Sequence, residues 1–188
     1  MHQYSDIPFE IFTIDNLYTS KEIELFKDYV ENADDKNRTF TNSPFKNGKI
    51  IKPDFSSLMY SRINTCLPDE YIDRQNTKWG YLEAPKYIMY AKVQPGEHFG
   101  LHTDTGCEYD MIKNKYSKYT VLTYLNNDFE GGSTIFYDDN FHKTCEIKPL
   151  KNRTLIFDID LYHQGSQVLE GNKYWIGTEL VCKKLNYT

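Results

Sequence analysis

His102, Asp104, His163 and Lys173 are the residues of this chain whose types and spacing suit a reaction centre. They run as H-T-D, then a distant histidine, then a lysine ten residues further on. Two imidazoles and one carboxylate form the donor set that holds one face of a non-haem Fe(II) and leaves the opposite face open for a co-substrate and O₂. A lysine beside such a centre supplies a fixed cation for a dicarboxylate co-substrate. In extended chain, residues two apart point the same way, so His102 and Asp104 can reach one ion from the end of a single strand. His163 follows the apolar run Thr154 to Phe157 and the stretch Asp158 to Tyr162, which predicts a position near the end of a late strand. Lys173 opens the run Tyr174-Trp175-Ile176 and is expected to start a strand pointing inward; a lysine is seldom wholly buried unless paired.

Each of these residues has a plainer reading when taken alone. An H-x-D before Thr105-Gly106 reads as a surface turn, His163 as a hydrogen-bonded core histidine, and Lys173 as an exposed lysine at a strand end. His98 and His142 are rival ligands. His98 lies an even number of residues from His102 but across Gly100, and His142 sits in the polar turn Asp138 to Lys143, so both are expected to be structural or exposed. The joint spacing of the four residues favours the metal reading.

Stepping outward, Thr19-Ser20-Lys21-Glu22 forms a capping box with Ile23, Phe26 and Val30 at helical spacing behind it, which predicts a helix from Ser20 to Ala33. Asp34 to Lys49 is polar, contains Pro44 and Gly48, and reads as a loop. Asp54 is expected to cap a second helix carrying Leu58, Met59, Ile63 and Cys66, stopped by Pro68. From Lys86 the texture changes to short β-rich runs: Lys86 to Val93, Tyr119 to Leu125, Ser133 to Tyr137, Thr144 to Ile147, Arg153 to Ile159 and Lys173 to Cys182. That pattern predicts an antiparallel sandwich or barrel braced by helices. The chain reads as a single domain over residues 1–188, with a helical support region at 1–85 and the β core at 86–188. Asn152 is expected to take a left-handed turn before its strand, and Thr105 to Lys118 to form a mobile lid or an ordinary solvated loop.

Composition narrows the function classes. The chain has 188 residues, 15% of them aromatic with 16 Tyr, and a net charge of −5, so nothing in the charge balance calls for a nucleic-acid backbone as partner. No run approaches a membrane span, and Met1 to Glu10 lacks the basic and apolar regions of a secretory signal, so a cytoplasmic protein without a membrane partner is expected. Cys66, Cys107, Cys145 and Cys182 lie far apart with no C-x-x-C pair, which argues against a thiolate zinc site or redox dithiol.

The chain resembles the 2-oxoglutarate and Fe(II)-dependent oxygenases, in their prolyl 4-hydroxylase-like branch. The similarity runs through Phe12 to Leu17 with Ser20 and Glu22, Gly96 to Asp104, Thr120 to Asn126, Phe129 to Phe136, Pro149, and most specifically H-Q-G-S-Q-V-L-E-G-N-K-Y from His163 to Tyr174. The resemblance implies a double-stranded β-helix, or jelly roll, with flanking helices. It implies that His102, Asp104 and His163 hold Fe(II), that Lys173 pairs with the distal carboxylate of 2-oxoglutarate, and that the hydroxyls of Tyr124 and Thr134 help to hold that carboxylate. Three departures stand out: Val93 where many relatives carry a tyrosine, Glu179 where a substrate-side tryptophan is often found, and Asn152 in place of a turn glycine. The implied activity is hydroxylation of a C–H bond of a protein or peptide side chain, consuming 2-oxoglutarate and O₂ with ascorbate as a reductant. Hydroxylation of a free amino acid or other small metabolite is the alternative within enzymes, and a non-catalytic jelly-roll binding module the alternative outside them. Oligomeric state is not legible.

Overall fold

Thr19 starts helix α1 (Ser20–Asn32) in the way its sequence dictates. Its hydroxyl accepts from the Glu22 amide at 3.3 Å while the Glu22 carboxylate accepts from the Thr19 amide at 2.7 Å, so two otherwise unpaired backbone donors are satisfied. Ile23, Phe26 and Val30 form the buried stripe. The computed structural model describes residues 1–6, 10–33, 45–106, 109–110 and 114–185.

In chain order the strands and helices are β1 (His2–Gln3), β2 (Ile11–Asp15), α1, β3 (Lys46–Ile51), α2 (Pro53–Asn64), β4 (Glu70–Ile72), β5 (Lys78–Glu83), β6 (Tyr87–Val93), β7 (Phe99–His102) and β8 (Tyr109–Asp110). They continue as β9 (Lys115–Tyr124), β10 (Glu130–Gly131), β11 (Thr134–Tyr137), β12 (Lys143–Ile147), β13 (Arg153–Asp158), β14 (Tyr162–Gly165), β15 (Val168–Glu170) and β16 (Lys173–Leu185).

Strand β16 is the spine of the larger sheet. One edge pairs with β9, which continues through β13 and β2 to β1; the other edge pairs first with β6 along Lys173–Gly177 and then with β5 along Val181–Leu185. A second antiparallel sheet has the order β12-β11-β14-β7, and β10 pairs with β15 beside it. Two curled antiparallel sheets with helices outside form the expected jelly roll.

Period-two alternation along β16 divides its side chains between two environments. Tyr174, Ile176 and Leu180 join Ile23, Phe26, Met59 and Ile63 in the core beneath the helices. Lys173, Trp175 and Glu179 face the space between the sheets. Arg62 ties the helices together, with one guanidinium nitrogen 2.8 Å from Glu22 and another donating to the Leu17 carbonyl at 2.8 Å.

Several expectations need correction. Helix α2 begins one residue before Asp54: Lys52 is the cap residue, without a side-chain cap bond, and Pro53 opens the helix. A proline at the first helical position has its φ preset and its missing N–H costs nothing there, so Asp54 lies inside the first turn instead. Of the loop expected over Asp34 to Lys49, residues 34–44 lie outside the described residues, while Lys46 onward forms β3. Its full pairing with β6 from Lys46↔Lys92 to Ile51↔Tyr87 outweighs a polar, glycine-containing sequence. Residues 1–85 accordingly hold strands as well as helices, and β2, β3, β4 and β5 extend the larger sheet. Asn152 does adopt φ 63°, and its side chain also binds the Tyr18 backbone, accepting from the amide at 3.1 Å and donating to the carbonyl at 2.6 Å.

Candidate metal centre and co-substrate pocket

His102 and His163 face each other as register partners on the adjacent antiparallel strands β7 and β14, with ring centroids 4.2 Å apart. His163, expected near the end of a late strand, lies within one. Strand β13 stops at Asp158, the chain turns back with the Leu161 amide on the Asp158 carbonyl at 3.2 Å, and His163 lies inside β14 of the second sheet. Asp104 follows the end of β7, and its amide donates to the Ile159 carbonyl of that same turn at 3.0 Å.

Both imidazoles are oriented through Nδ1, His102 toward the Gly100 carbonyl at 2.7 Å and His163 toward the Leu161 carbonyl at 2.9 Å. A carbonyl only accepts, so Nδ1 carries the proton, and in the neutral imidazole this leaves a bare Nε2 turned to the site. His102 Nε2 lies 3.4 Å from Asp104 Oδ1, and His163 Nε2 3.8 Å from Oδ2. One donor atom from each of the three residues falls within 4.8 Å of the others. His102 Nε2 is buried without a hydrogen-bond partner among the described residues. A buried acceptor left unsatisfied is costly in a protein interior, and a cation at this point would satisfy it. The donor set, two neutral imidazoles and a carboxylate on one side of a common point, fits a ferrous ion with an open face. Burial works against the charge on Asp104, yet its contact with His102, the proximity of His163 and the Thr120 hydroxyl outweigh burial and hold its carboxyl below the ordinary range.

Thr120 was not singled out by sequence, and its hydroxyl donates to Asp104 Oδ2. The signal for it was the alternation of β9, in which Thr120, Leu122 and Tyr124 share the face turned toward the cavity core. Such hydrogen bonds fix the direction of a ligating carboxylate.

Lys173 lies in the same cavity at the start of β16 and is only 5% exposed. Its Nζ donates to the Gly132 carbonyl at 2.6 Å and sits 5.2 Å from the centre of the Tyr124 ring. No carboxylate among the described residues forms an ion pair with it, and burial pushes its pKa down to about 7. Gly132 has φ 66°, and a Cβ there would meet Lys173 Cδ at 3.0 Å, so a glycine is what lets the lysine pass and donate to that carbonyl. Tyr124 and Thr134 are bonded to each other, hydroxyl to hydroxyl at 2.8 Å. Thr134 lines the cavity with Lys173, whereas Tyr124 is fully buried behind it.

The cavity holds about 340 Å³ and is walled by Met89, Val93, Leu122, Phe157 and Trp175 around these polar groups. His98 is exposed at its rim, outside the three-residue donor group. His142 lies in the Asp138 turn, 3.4 Å from Asp138 Oδ2 and far out in solvent. Within the stretch expected as a lid, Thr105 and Gly106 line the cavity and Lys115 to Lys118 belong to β9; Cys107 and residues 108 and 111–113 lie outside the described residues. No helix among the described residues is long and apolar enough to cross a membrane.

No curated protein matches the chain. Among solved structures, a Pseudomonas putida prolyl-4-hydroxylase superposes with a TM-score of 0.65 at 12% identity, covering 92% of each chain. A prolyl hydroxylase from Trichoplax adhaerens, in complex with a hypoxia inducible factor peptide fragment, gives 0.64 at 18% identity over 92% of this chain and 84% of its own. A viral collagen prolyl hydroxylase from Paramecium bursaria Chlorella virus-1, in its 2-oxoglutarate complex, gives 0.60 at 16% over 92% and 95%. These likenesses establish a shared fold. Residues 86–178, which run from β6 to Thr178 of β16 and contain all three donor residues, match the family model of the 2OG-Fe(II) oxygenase superfamily, and the chain belongs to that superfamily as a 2-oxoglutarate-dependent dioxygenase using Fe(II) and O₂.

Proposed function

We propose that His102 Nε2, Asp104 and His163 Nε2 hold the iron, that Lys173 anchors the distal carboxylate of 2-oxoglutarate, and that the enzyme hydroxylates a C–H bond in a protein or peptide side chain. The observation that carries this reading is the buried Lys173 ammonium, which has no carboxylate partner among the described residues and shares a cavity with the three donors. A buried cation surrounded by neutral groups is costly to keep. An incoming dicarboxylate removes that cost through a charge-assisted hydrogen bond.

When bound, Fe(II) and 2-oxoglutarate supply the O₂ activation that couples release of succinate and CO₂ to oxygen insertion into a C–H bond. The chain's own part is placement and exclusion. Thr120 aims Asp104, the backbone carbonyls of Gly100 and Leu161 aim the imidazoles, and the Thr134 hydroxyl stands beside Lys173 at the co-substrate end. Val93, Met89 and Trp175 keep the wall dry, which strengthens the pairing at Lys173 and keeps water from the reacting carbon. The peptide reading draws on the fold shared with prolyl hydroxylases, one of them bound to a peptide fragment. A cavity of about 340 Å³ also suits a free amino acid, which is the second reading.

Anaerobic titration with Fe(II), with and without 2-oxoglutarate, tests the site. A visible absorption band that requires both is the expected result, and a chain that binds neither, or binds iron without responding to 2-oxoglutarate, overturns it. Screening peptide and metabolite libraries for 2-oxoglutarate consumption then decides between the two substrate readings.

A further inference from the structure

We infer that Lys49 is a specificity-determining residue of this site, and that it selects a substrate bearing a carboxylate. The inference rests on the site reading above and adds the substrate chemistry to it.

Lys49 lies on β3, beyond β6 in the larger sheet, and lines the same cavity as the three donor residues. Strand register fixes its place. Lys49 pairs with Met89, Met89 with Gly177 and Gly177 with Leu122, so the four stand in one row across the sheet. Leu122, at the far end of that row, is two residues from Thr120, whose hydroxyl holds Asp104. Lys173 pairs instead with Val93, four residues along β6 from Met89. At about 3.3 Å per residue and 4.8 Å per strand, the two lysines stand roughly 13 Å apart along the strands and about 10 Å apart across them. The Lys49 ammonium is turned further away still. It lies over the Tyr87 ring, 3.5 Å from its centre, and Tyr87 is on the side of Met89 away from Val93. A 2-oxoglutarate held at Lys173 is too short to reach it, so the co-substrate accounts for Lys173 and leaves Lys49 for the substrate.

The ammonium of half-buried Lys49 has the Tyr87 ring for company, and no carboxylate or carbonyl among the described residues holds it. An aromatic face steadies a cation by its electrostatic field and fixes where it sits. An ammonium carries three N–H donors, which a ring face does not use as an oxygen acceptor would. The other charged groups of the cavity have contacts of their own: Asp104 with Thr120 and the two histidines, Glu179 with Ser117, and Lys173 with the Gly132 carbonyl. Met89 beside Lys49 and Trp175 on the same wall make the surroundings apolar, which strengthens a charge-assisted hydrogen bond formed there. A carboxylate matches the ammonium in charge and supplies the missing acceptors. A neutral substrate of the same shape would cover the ammonium without pairing it, so the residue discriminates by penalty as well as by attraction.

The test uses the full chain loaded with Fe(II) and saturating 2-oxoglutarate under anaerobic conditions, with binding measured by calorimetry. One probe pair is N-acetyl-norleucine against its amide, which asks for a free α-carboxylate. The other is an N-acetylated, C-amidated Gly-Glu-Gly tripeptide against the same tripeptide with glutamine, which asks for a side-chain carboxylate in a peptide. In one of the two pairs the anionic member is expected to bind roughly tenfold or more tightly. In Lys49→Gln that preference is expected to vanish while the absorption band needing iron and 2-oxoglutarate stays; in Lys49→Arg, which keeps the charge, the preference is expected to remain. No preference in either pair with the wild-type enzyme overturns the inference, as does a preference that survives in Lys49→Gln, which would leave Lys49 as a structural partner of Tyr87. Loss of the band on adding the anionic probe would put that probe at Lys173 in place of the co-substrate and overturns the inference as well. The wild-type comparison stands whether or not either variant folds. A wild-type enzyme that shows no band before any probe is added would instead overturn the site reading.

Discussion

Two lysines, both almost wholly buried, are treated in opposite ways by this fold. Lys118, 6% exposed on β9, lies between Asp158 and Asp160, with its Nζ 2.9 Å from a carboxylate oxygen of each. Burial opposes its charge, but the two carboxylates outweigh burial and hold its pKa above the usual lysine value. Lys173, 5% exposed, has a backbone carbonyl and an aromatic ring for company, and burial alone brings its pKa down to about 7. Similar burial thus yields a closed structural pair in one region and an open charge in the other. The difference separates a lysine that serves the fold from one that the proposed function assigns to a ligand.

Replacing a donor residue should have the largest effect and should touch only the cavity side of this contrast. Asp104→Ala or His102→Ala is expected to abolish succinate formation while the thermal midpoint stays near wild type; undiminished turnover would remove the ligand assignment. Lys118→Met should leave Asp158 buried and unpaired, lowering stability by about 3–5 kcal/mol in denaturant titration with no change in 2-oxoglutarate affinity. Lys173→Met should do the reverse. It is expected to weaken 2-oxoglutarate binding by roughly 30-fold or more while stability holds or rises, because a desolvated charge with no counter-ion has been removed. If both methionine variants lose stability equally, the contrast between the lysines is wrong.

Smaller effects sharpen the picture. Thr120→Val should cost about 10- to 100-fold in iron affinity, read by competition with a chelator, since Asp104 loses the hydroxyl that aims it. The pH dependence of 2-oxoglutarate binding has a definite sign. Below about pH 7 Lys173 is already charged in the empty site; above it, binding must take up a proton because the carboxylate raises the lysine's pKa. Affinity should therefore be full at low pH and fall as pH rises past 7, by up to about tenfold per pH unit. Calorimetry in two buffers of different ionisation enthalpy measures that proton uptake, and flat affinity across this range would show that Lys173 is not the anchor.

Much of the framework was legible before folding was considered. The capping box at Thr19, the stripe of Ile23, Phe26 and Val30, and the left-handed Asn152 are local features, decided by neighbouring backbone atoms and by φ preferences. Strands β6, β9, β11, β12, β13 and β16 were visible because their runs are rich in β-branched and aromatic residues. Strands β3 and β14 were not, since short runs containing Gly48 or Gly165 carry little propensity and are held by their neighbours. Missing β14 is also why His163 was expected only near the end of a late strand and not within a strand of its own. Thr120 and the full burial of Glu179 could not be read from residue type, because a threonine or glutamate in a strand is usually just a strand residue.

The residues alone determined which chemistry was available: two histidines and an aspartate able to bind a metal, a lysine able to hold an anion, and alternating strands that sort side chains between two faces. Only the tertiary structure decided that β7 and β14 lie side by side, that the two Nε2 atoms converge on Asp104, and that Lys173 is buried without a carboxylate while Lys118 is buried with two. Propensity and capping act over a few residues, whereas these outcomes depend on strand pairings between positions up to about eighty residues apart, such as Lys173↔Val93, whose energies arise only once the sheets close around a common interior.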